Sequence, residues 1–580
     1  MFNEKQLGSL KDFANAVKAF DRFELVADGK AAGAAGAFRR SFIEASGRFC
    51  GLMGSEEFAH LSMMHKSPRL WGEIILIKAS DPSFKRMRDT YYGMLAQGRT
   101  VLLVSDAPRE ELVSFRLRDG SDVKSVYKPD GEQSGADLAS NNLDNLFVLE
   151  IAPEQDLDEA FGKELAEILA KELGALDLPE EEGGALKDPD RLRDISFYNK
   201  FYFQDSFHAQ CMDLDPLTMD QFERSEKSLR MLSKECSSMK KALGKDILLE
   251  ADHVIFCGCG DSYVAARAAG PFFRHYLPDV SFEAVEGIEL SRHYSFEGDL
   301  SKTLAVFISY SGTSLRTIEA LRKCKKNGVT TLAMTGRKDA PLAEEADFLF
   351  FTNNPPGDNN AGLRTYFSNV LSSAMLAALM AERRHGGDEI GALRDAVQSF
   401  HDRIFLSSLT AEEGSPLKKD SIIKRMDEAS FRAALKLRDC RFFELSGEDD
   451  LLYGAEFVQA KIVELSGDPS EACPIEELSF LGSNLKNAKD TAYLVLRDPA
   501  SESEALKKAA KELNDQGAIL ELIDIPAAPE GWDFLRGLYS WLPAALLAGF
   551  RHTTIGEPMF RGGFDPDIFI PTYFSPIEEL

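Results

Sequence analysis

The chain has 580 residues, 94 Asp and Glu against 67 Lys and Arg, a formal net charge of −27 and 44% apolar residues. That length exceeds a single core and predicts three domains of ordinary size, and the acidity argues against nucleic acid or an anionic membrane as partner, because phosphate contacts need clustered Lys and Arg. The N-terminus is charged and lacks a secretory core, the best apolar run (Trp541 to Phe550) suits a buried helix, and eight scattered cysteines read as reduced core thiols, so a cytoplasmic protein is expected.

In chain order, residues 1–195 form the first expected domain, closing on the acidic linker Leu178-Pro-Glu-Glu-Glu-Gly-Gly. Residues 196–250 are polar with recurring Phe, Met and Leu and read as a helical lead-in. Residues 251–385 alternate apolar strands (Val254–Cys257, Leu304–Ser309, Thr330–Met334, Phe348–Phe351) with helical stretches (Tyr263–His275, Leu315–Lys326, Thr365–Arg384). That alternation predicts a parallel sheet covered on both faces. A helical connector over 386–438, broken at His385-Gly-Gly-Asp and at Glu412-Glu-Gly-Ser-Pro, leads into a third domain over 439–580.

Two strand ends in the middle domain share a grammar. One strand runs into Cys259-Gly260-Asp261-Ser262 and a helix from about Tyr263; another runs into Ser309-Tyr310-Ser311-Gly312-Thr313-Ser314 and the helix that follows. Glycine and small hydroxyl residues bring open backbone N–H groups to the positive end of a helix, where a phosphate dianion is favoured. Two such turns about fifty residues apart can hold one sugar phosphate between them. Cys257-Gly-Cys259 is too close for Cys-x-x-Cys metal spacing and has no second pair, so no metal site is expected.

A repeat spans the outer domains. A shift of 420 residues lays Phe23-Glu24-Leu25 on Phe443-Glu444-Leu445, Glu44 on Glu464, Ser46-Gly47 on Ser466-Gly467 and Glu57 on Glu477; with one residue deleted, Gln97-Gly98 meets Gln516-Gly517.

The Cys259–Tyr263 and Ser309–Ser314 turns, with the Gly328-Val-Thr-Thr-Leu-Ala-Met-Thr-Gly336 strand, resemble the sugar isomerase (SIS) domain, above all the isomerase half of glucosamine-6-phosphate synthase and the ketosamine-phosphate deglycases. The resemblance implies an α/β fold of doubly wound, flavodoxin-like parallel sheets flanked by helices, here as three SIS-like repeats. It implies sugar-phosphate binding by Cys259, Gly260, Asp261 (in place of a threonine), Ser262, Ser309, Tyr310, Ser311, Gly312, Thr313 and Ser314. Where relatives have Val-Ala-Ser-Thr-Lys, this chain has Asp358-Asn359-Asn360-Ala361-Gly362-Leu363-Arg364, leaving Arg364 as a substrate contact.

In those relatives a glutamate before Ile-Ser moves the proton between sugar carbons, and a histidine sixteen residues later, from the neighbouring subunit, assists ring opening. The matching glutamate is Glu464; sixteen residues on stands Phe480, whereas the first repeat has His60 sixteen residues after Glu44. The expectation is a composite site in which the middle-domain turns hold the phosphate, Glu464 is the base and His60 the histidine. An exposed ion pair between Lys461 and Glu464 is the ordinary alternative.

No glutaminase domain and no lysine after Lys511 are present, so amination and a tail imine are not expected. The resemblance points to a cofactor-free, homodimeric enzyme that isomerises, deglycates or deaminates a 6-phosphorylated sugar or amino sugar. A phosphosugar-binding regulatory protein is the alternative.

Overall fold

The computed structural model describes residues 2–65, 70–113, 142–174, 206–243, 246–355, 360–405, 421–482, 484, 490–501 and 503–555. The expected linker at 178–184 and the connector break at 412–416 lie outside the described residues, as do Asp358 and Asn359. Among the described residues the chain forms three sheets in which every paired strand is parallel. The first contains β1 (Arg22–Ala27), β2 (Phe49–Met53), β3 (Trp71–Leu76), β4 (Thr100–Ser105) and β5 (Leu146–Glu150), in the order β2-β1-β3-β4-β5. The middle sheet contains β6 (His253–Gly258), β7 (Ser281–Glu286), β8 (Thr303–Ile308), β9 (Thr330–Thr335) and β10 (Phe348–Phe351), in the order β10-β9-β8-β6-β7. The third contains β11 (Phe442–Gly447), β12 (Ser470–Ala472), β13 (Thr491–Arg497) and β14 (Ile519–Asp524), in the order β12-β11-β13-β14.

The four strands expected in the middle sheet are present. The fifth, β7, escapes sequence reading because Ser281-Phe-Glu-Ala-Val-Glu286 alternates polar and apolar residues on a partly exposed edge rather than forming an apolar run. The helix expected over 263–275 is two helices, Asp261–Ala268 and Gly270–Tyr276, parted where Gly270 and Pro271 begin the second. The described part of the lead-in holds the long helix Ser206–Leu243 and the short helix Ile247–Glu250, and the stretch around Trp541 to Phe550 is the buried helix Leu542–Ile555.

The outer sheets are repeats in register. Phe23 pairs with Cys50 and Phe443 with Ser470; Arg22 pairs with Trp71 and Phe442 with Thr491; in each case the two pairs are 420 residues apart. The helices Ala31–Ser46 and Leu451–Ser466 keep the same offset at both ends, and each stops at a left-handed glycine, Gly47 or Gly467, with φ of 68°. Glu44 and Glu464 therefore occupy equivalent helical positions.

The two repeats pack on each other about this correspondence. Asp21 and Arg441, counterparts 420 residues apart, form an ion pair at 2.5 Å, and Phe49, Trp71 and Phe442 make a small buried cluster beside them. The middle and third units share one continuous apolar core, joined by the stack of Tyr366 on Phe457 at 3.9 Å, whereas the first unit has cores of its own.

In each repeat a buried guanidinium gathers backbone carbonyls, and the two come from different places in the chain. In the first, Arg48 donates to the carbonyls of Lys18, Phe20 and Gly174. In the third that position is Asp468, and Arg551 from the last described helix donates to Asp468 at 2.7 Å and to the carbonyls of Leu437 and Cys440, each at 2.7 Å. Arg551→Ala strands a buried carboxylate and two carbonyls, and should lower unfolding free energy by about 3–5 kcal/mol. Removal of the exposed Lys508 should leave the denaturant midpoint nearly unchanged. Equal midpoints for the two variants would refute this account of the third core.

Candidate functional site

The strand order places the two glycine-serine turns side by side. From β6 the chain goes to β7 on one side and then crosses to β8 on the other, so the carboxyl ends of β6 and β8 flank the point where the connections diverge, the usual ligand crevice of an open parallel sheet. At the end of β6, a side chain on Gly258 would begin 2.7 Å from the carbonyl carbon of Ser262, so glycine lets the helix Asp261–Ala268 start directly against the strand. At the end of β8, Ser309 is buried and its hydroxyl accepts the Gly312 N–H at 3.2 Å; Gly312 has φ of 66° and its Cβ would lie 2.5 Å from that of Ala340. Ser311 and Thr313 are exposed, their hydroxyls 2.9 Å apart. Ser314 precedes the helix Leu315–Lys326 without a side-chain capping bond.

A cavity of about 530 Å³ lies beside the first turn, lined from all three units. The middle unit contributes Cys259 through Val264, with Arg267, Glu286, Ala361 and Gly362; the third contributes Glu456, Gln459, Ala460, Glu464, Glu471 and Ala472; the first contributes Leu52, Glu57, Leu61 and Met64. The second turn is outside this lining and is linked to it by hydrogen bonds: the Cys259 thiol lies 3.5 Å from the Thr317 hydroxyl, which donates to Ser314 Oγ at 3.1 Å. Burial pushes the Cys259 thiol up to about 12, so it is an inert partner rather than a nucleophile.

Lys461 and Glu464 are indeed paired, but not on an exposed surface. Lys461 is fully buried; its Nζ donates to both Glu464 oxygens at 2.8 Å and to Asp261 Oδ2, also at 2.8 Å. Asp261 is fixed over Gly362, where a Cβ would meet its Oδ2 at 2.4 Å. Burial works against the Lys461 ammonium, yet Asp261 and Glu464 outweigh it and hold its pKa above the ordinary value. Burial raises Glu464 to about 7, with Lys461 opposing and Asp261 reinforcing. A carboxylate tuned in this way can take and return a proton near neutrality.

The remaining expected residues are placed as follows. Arg364 is buried and donates to the Pro355 carbonyl at 2.8 Å, outside the cavity lining. His60 ends the short helix Ser55–His60, which sends Glu57 to the cavity; its side chain lies outside the described residues. His65 stacks on Trp71 at 4.2 Å and contacts the Ser62 hydroxyl, a structural role. Glu44, unlike Glu464, is exposed. Phe480, in the third-unit helix equivalent to Ser55–His60, is 47% exposed.

Sequence reasoning missed Glu286, Glu456, Glu471 and Arg267, which reach the cavity only because separate units pack together. Glu57 was within reach, since the repeat aligns it with Glu477.

Residues 247–381 match the SIS domain family. The chain carries a SIS domain. It is 23% identical over 273 residues to a glutamine–fructose-6-phosphate aminotransferase (isomerizing) of Fusobacterium nucleatum, covering 46% of this chain and 41% of that protein. It is 29% identical over 146 residues to the same enzyme of Tropheryma whipplei, covering 24% and 22%. The match thus spans well under half the length of these curated relatives. Among solved structures, the C-terminal domain of the Francisella tularensis glucosamine-fructose-6-phosphate aminotransferase is similar at 18% identity and a TM-score of 0.45, over 58% of this chain and 97% of that one. A glucosamine-6-phosphate deaminase of Thermotoga maritima gives 18% identity and a TM-score of 0.41, over 58% and 96%. Among the described residues no helix is long and apolar enough to cross a membrane.

The carboxyls at this interface predict the pH dependence of stability. Burial raises Glu464 and Glu444 to about 7 and Glu471 to about 8. Their unfolded values are near 4.3, so the fold favours the neutral forms; this contribution is complete below about pH 4.3 and is lost as pH rises through the folded values. Melting temperature should therefore fall as pH rises from about 4.3 to about 8, and Glu444→Gln should flatten that fall. A melting temperature that rises through the window would contradict the assignment.

Proposed function

We propose that the chain is a phosphosugar-processing enzyme acting by proton transfer between C1 and C2, with Glu464 as the base. The observation that carries this reading is that Glu464, tuned to about 7, shares one cavity with the glycine-serine turn of the SIS domain. The phosphate belongs at the Ser309–Ser314 turn, at the positive end of the helix Leu315–Lys326, with Ser262 and the Cys259–Gly260 turn holding the sugar. His60, on the helix that sends Glu57 to the cavity, assists ring opening. The first unit then supplies within one chain what the family takes from a neighbouring subunit.

The lining also favours one side of the substrate choice. Six carboxyls face the cavity, from Glu57, Asp261, Glu286, Glu456, Glu464 and Glu471, while its Arg267 is paired with Glu456. Burial raises the pKa of Glu286, Glu456, Glu464 and Glu471, so these are carboxyls that a bound ammonium would draw into the ionised form, and an amino sugar 6-phosphate or ketosamine 6-phosphate fits better than a hexose 6-phosphate without an amine.

The test is incubation with glucosamine 6-phosphate, fructosamine 6-phosphates and fructose 6-phosphate in deuterated water, with deuterium uptake at C1 or C2 expected for the amine-bearing compounds. Glu464→Gln should abolish exchange while calorimetric binding stays near wild type, because the amide keeps the shape and loses the base. Ser311→Ala should weaken binding by about 1–3 kcal/mol. Binding without exchange would leave a phosphosugar-binding protein, and equal affinity for glucosamine and its 6-phosphate would end the reading altogether.

A further inference from the structure

Position 471 breaks the symmetry of the two repeats. Strand β12 carries Glu471 into the cavity, while its counterpart 420 residues earlier, on β2, is Gly51. The two meet where the repeats pack: a Cβ on Gly51 would begin 3.4 Å from Glu471 Oε2. Glycine on one repeat thus makes room for a carboxyl on the other. The neighbouring backbone N–H of Leu52, also from the first unit, donates to that carboxyl. Two glutamates at these positions would crowd like charges in a buried space, so a single one fits.

We infer that Glu471 is a second catalytic residue, the acid–base group that moves protons on the substrate's heteroatoms while Glu464 moves the carbon-bound proton. This rests on the phosphosugar reading above. With an open-chain aldehyde in the cavity, the proton on C2 passes to the Glu464 carboxylate as a C1=C2 bond forms. The carbonyl π pair moves to O1, which takes the proton of the Glu471 carboxyl. Glu464 then returns its proton to C1. Glu471, now a carboxylate, regains a proton from the C2 hydroxyl as the ketone forms; where C2 carries a free amine, Glu471 takes the proton instead from the water that attacks the C2 iminium, and the carbinolamine's hydroxyl proton passes to nitrogen as ammonia leaves and the ketone forms. Each route restores both glutamates and needs no reagent beyond water.

The surroundings suit a neutral acid. Burial is the main cause that raises Glu471 to about 8. Facing it are Arg39 from the helix Ala31–Ser46, Glu24 on β1, Cys50 on β2, Glu444 on β11, Cys473 after β12 and Glu477 on the helix Ile475–Gly482. Arg39 pulls the value down, while Glu444 and Glu477 push it up. At neutral pH Glu471 thus holds a proton to give, and Glu464 is poised to accept one.

The experiment measures deuterium exchange into glucosamine 6-phosphate as a function of pH for the full chain and for Glu471→Gln, Glu471→Asp and Glu464→Gln. In the wild type the rate should rise through the range of Glu464 and fall above that of Glu471. Glu471→Gln should slow exchange by about 100-fold and remove the alkaline limb. Its affinity and melting temperature should stay near wild type, since the amide oxygen still accepts the Leu52 N–H, and Glu471→Asp should recover part of the rate. An intact rate with the alkaline limb retained in Glu471→Gln overturns the inference alone, provided Glu464→Gln abolishes exchange. Loss of affinity in step with rate makes Glu471 a binding group and also overturns it. If the wild type exchanges no deuterium with any substrate tested, the phosphosugar reading falls and this inference with it.

Discussion

A lysine ammonium with no exposure to water must be matched by carboxylates, and at Lys461 this requirement ties the molecule together. Its two partners come from different units: Glu464 one helical turn away, and Asp261 from the first turn of the middle-unit helix. Neither the middle nor the third unit can satisfy Lys461 alone. The shared apolar core brings the helices together, and the ammonium fixes their register by demanding both carboxylates within hydrogen-bond reach. The same three charges hold Glu464 near neutrality: burial drives its pKa up, and Lys461 keeps it from rising further.

The two repeats have one backbone and different surfaces. In the third, the helix Leu451–Ser466 turns Phe457, Lys461 and Glu464 towards the middle unit. In the first, the equivalent positions on Ala31–Ser46 are Ala37, Ser41 and Glu44, too small to reproduce the aromatic stack or the buried ammonium. The short helices differ in the reverse sense: Ser55–His60 sends Glu57 to the cavity, while Ile475–Gly482 contributes nothing to its lining and leaves Phe480 half in solvent. Each repeat thus presents to the single cavity a different one of its two helices.

This division explains which features were legible in the sequence. The two turns of the middle unit were readable because backbone geometry dictates them: Gly258 must let a helix approach a strand, and Gly312 must adopt a positive φ under Ala340. The 420-residue repeat was readable for the same reason, since strand register and the glycine helix stops leave residues at fixed spacing. The pairing of Lys461 with Glu464 was also visible, but its burial was not, because the covering atoms lie some 200 positions earlier in the chain. Edge strand β7 was lost because half-exposed edges lack the apolar run that marks a central parallel strand. Glu286, Glu456 and Glu471 carry no local signal at all; only the packing of three units makes them one lining.

The absent histidine at position 480 has a physical explanation in that asymmetry. The packing of the outer repeats relates the two short helices across the same correspondence that pairs Asp21 with Arg441. A cavity built on the third unit's long helix is therefore approached by the first unit's short helix, and the third unit's short helix points to the place where a cavity on the first unit's long helix would lie. No middle unit covers that helix: Glu44 is exposed, and the described residues form one middle sheet between the two outer repeats. A side chain at 480 lies outside the lining, so phenylalanine there leaves the cavity unchanged. The helix that does reach the cavity is Ser55–His60, through Glu57.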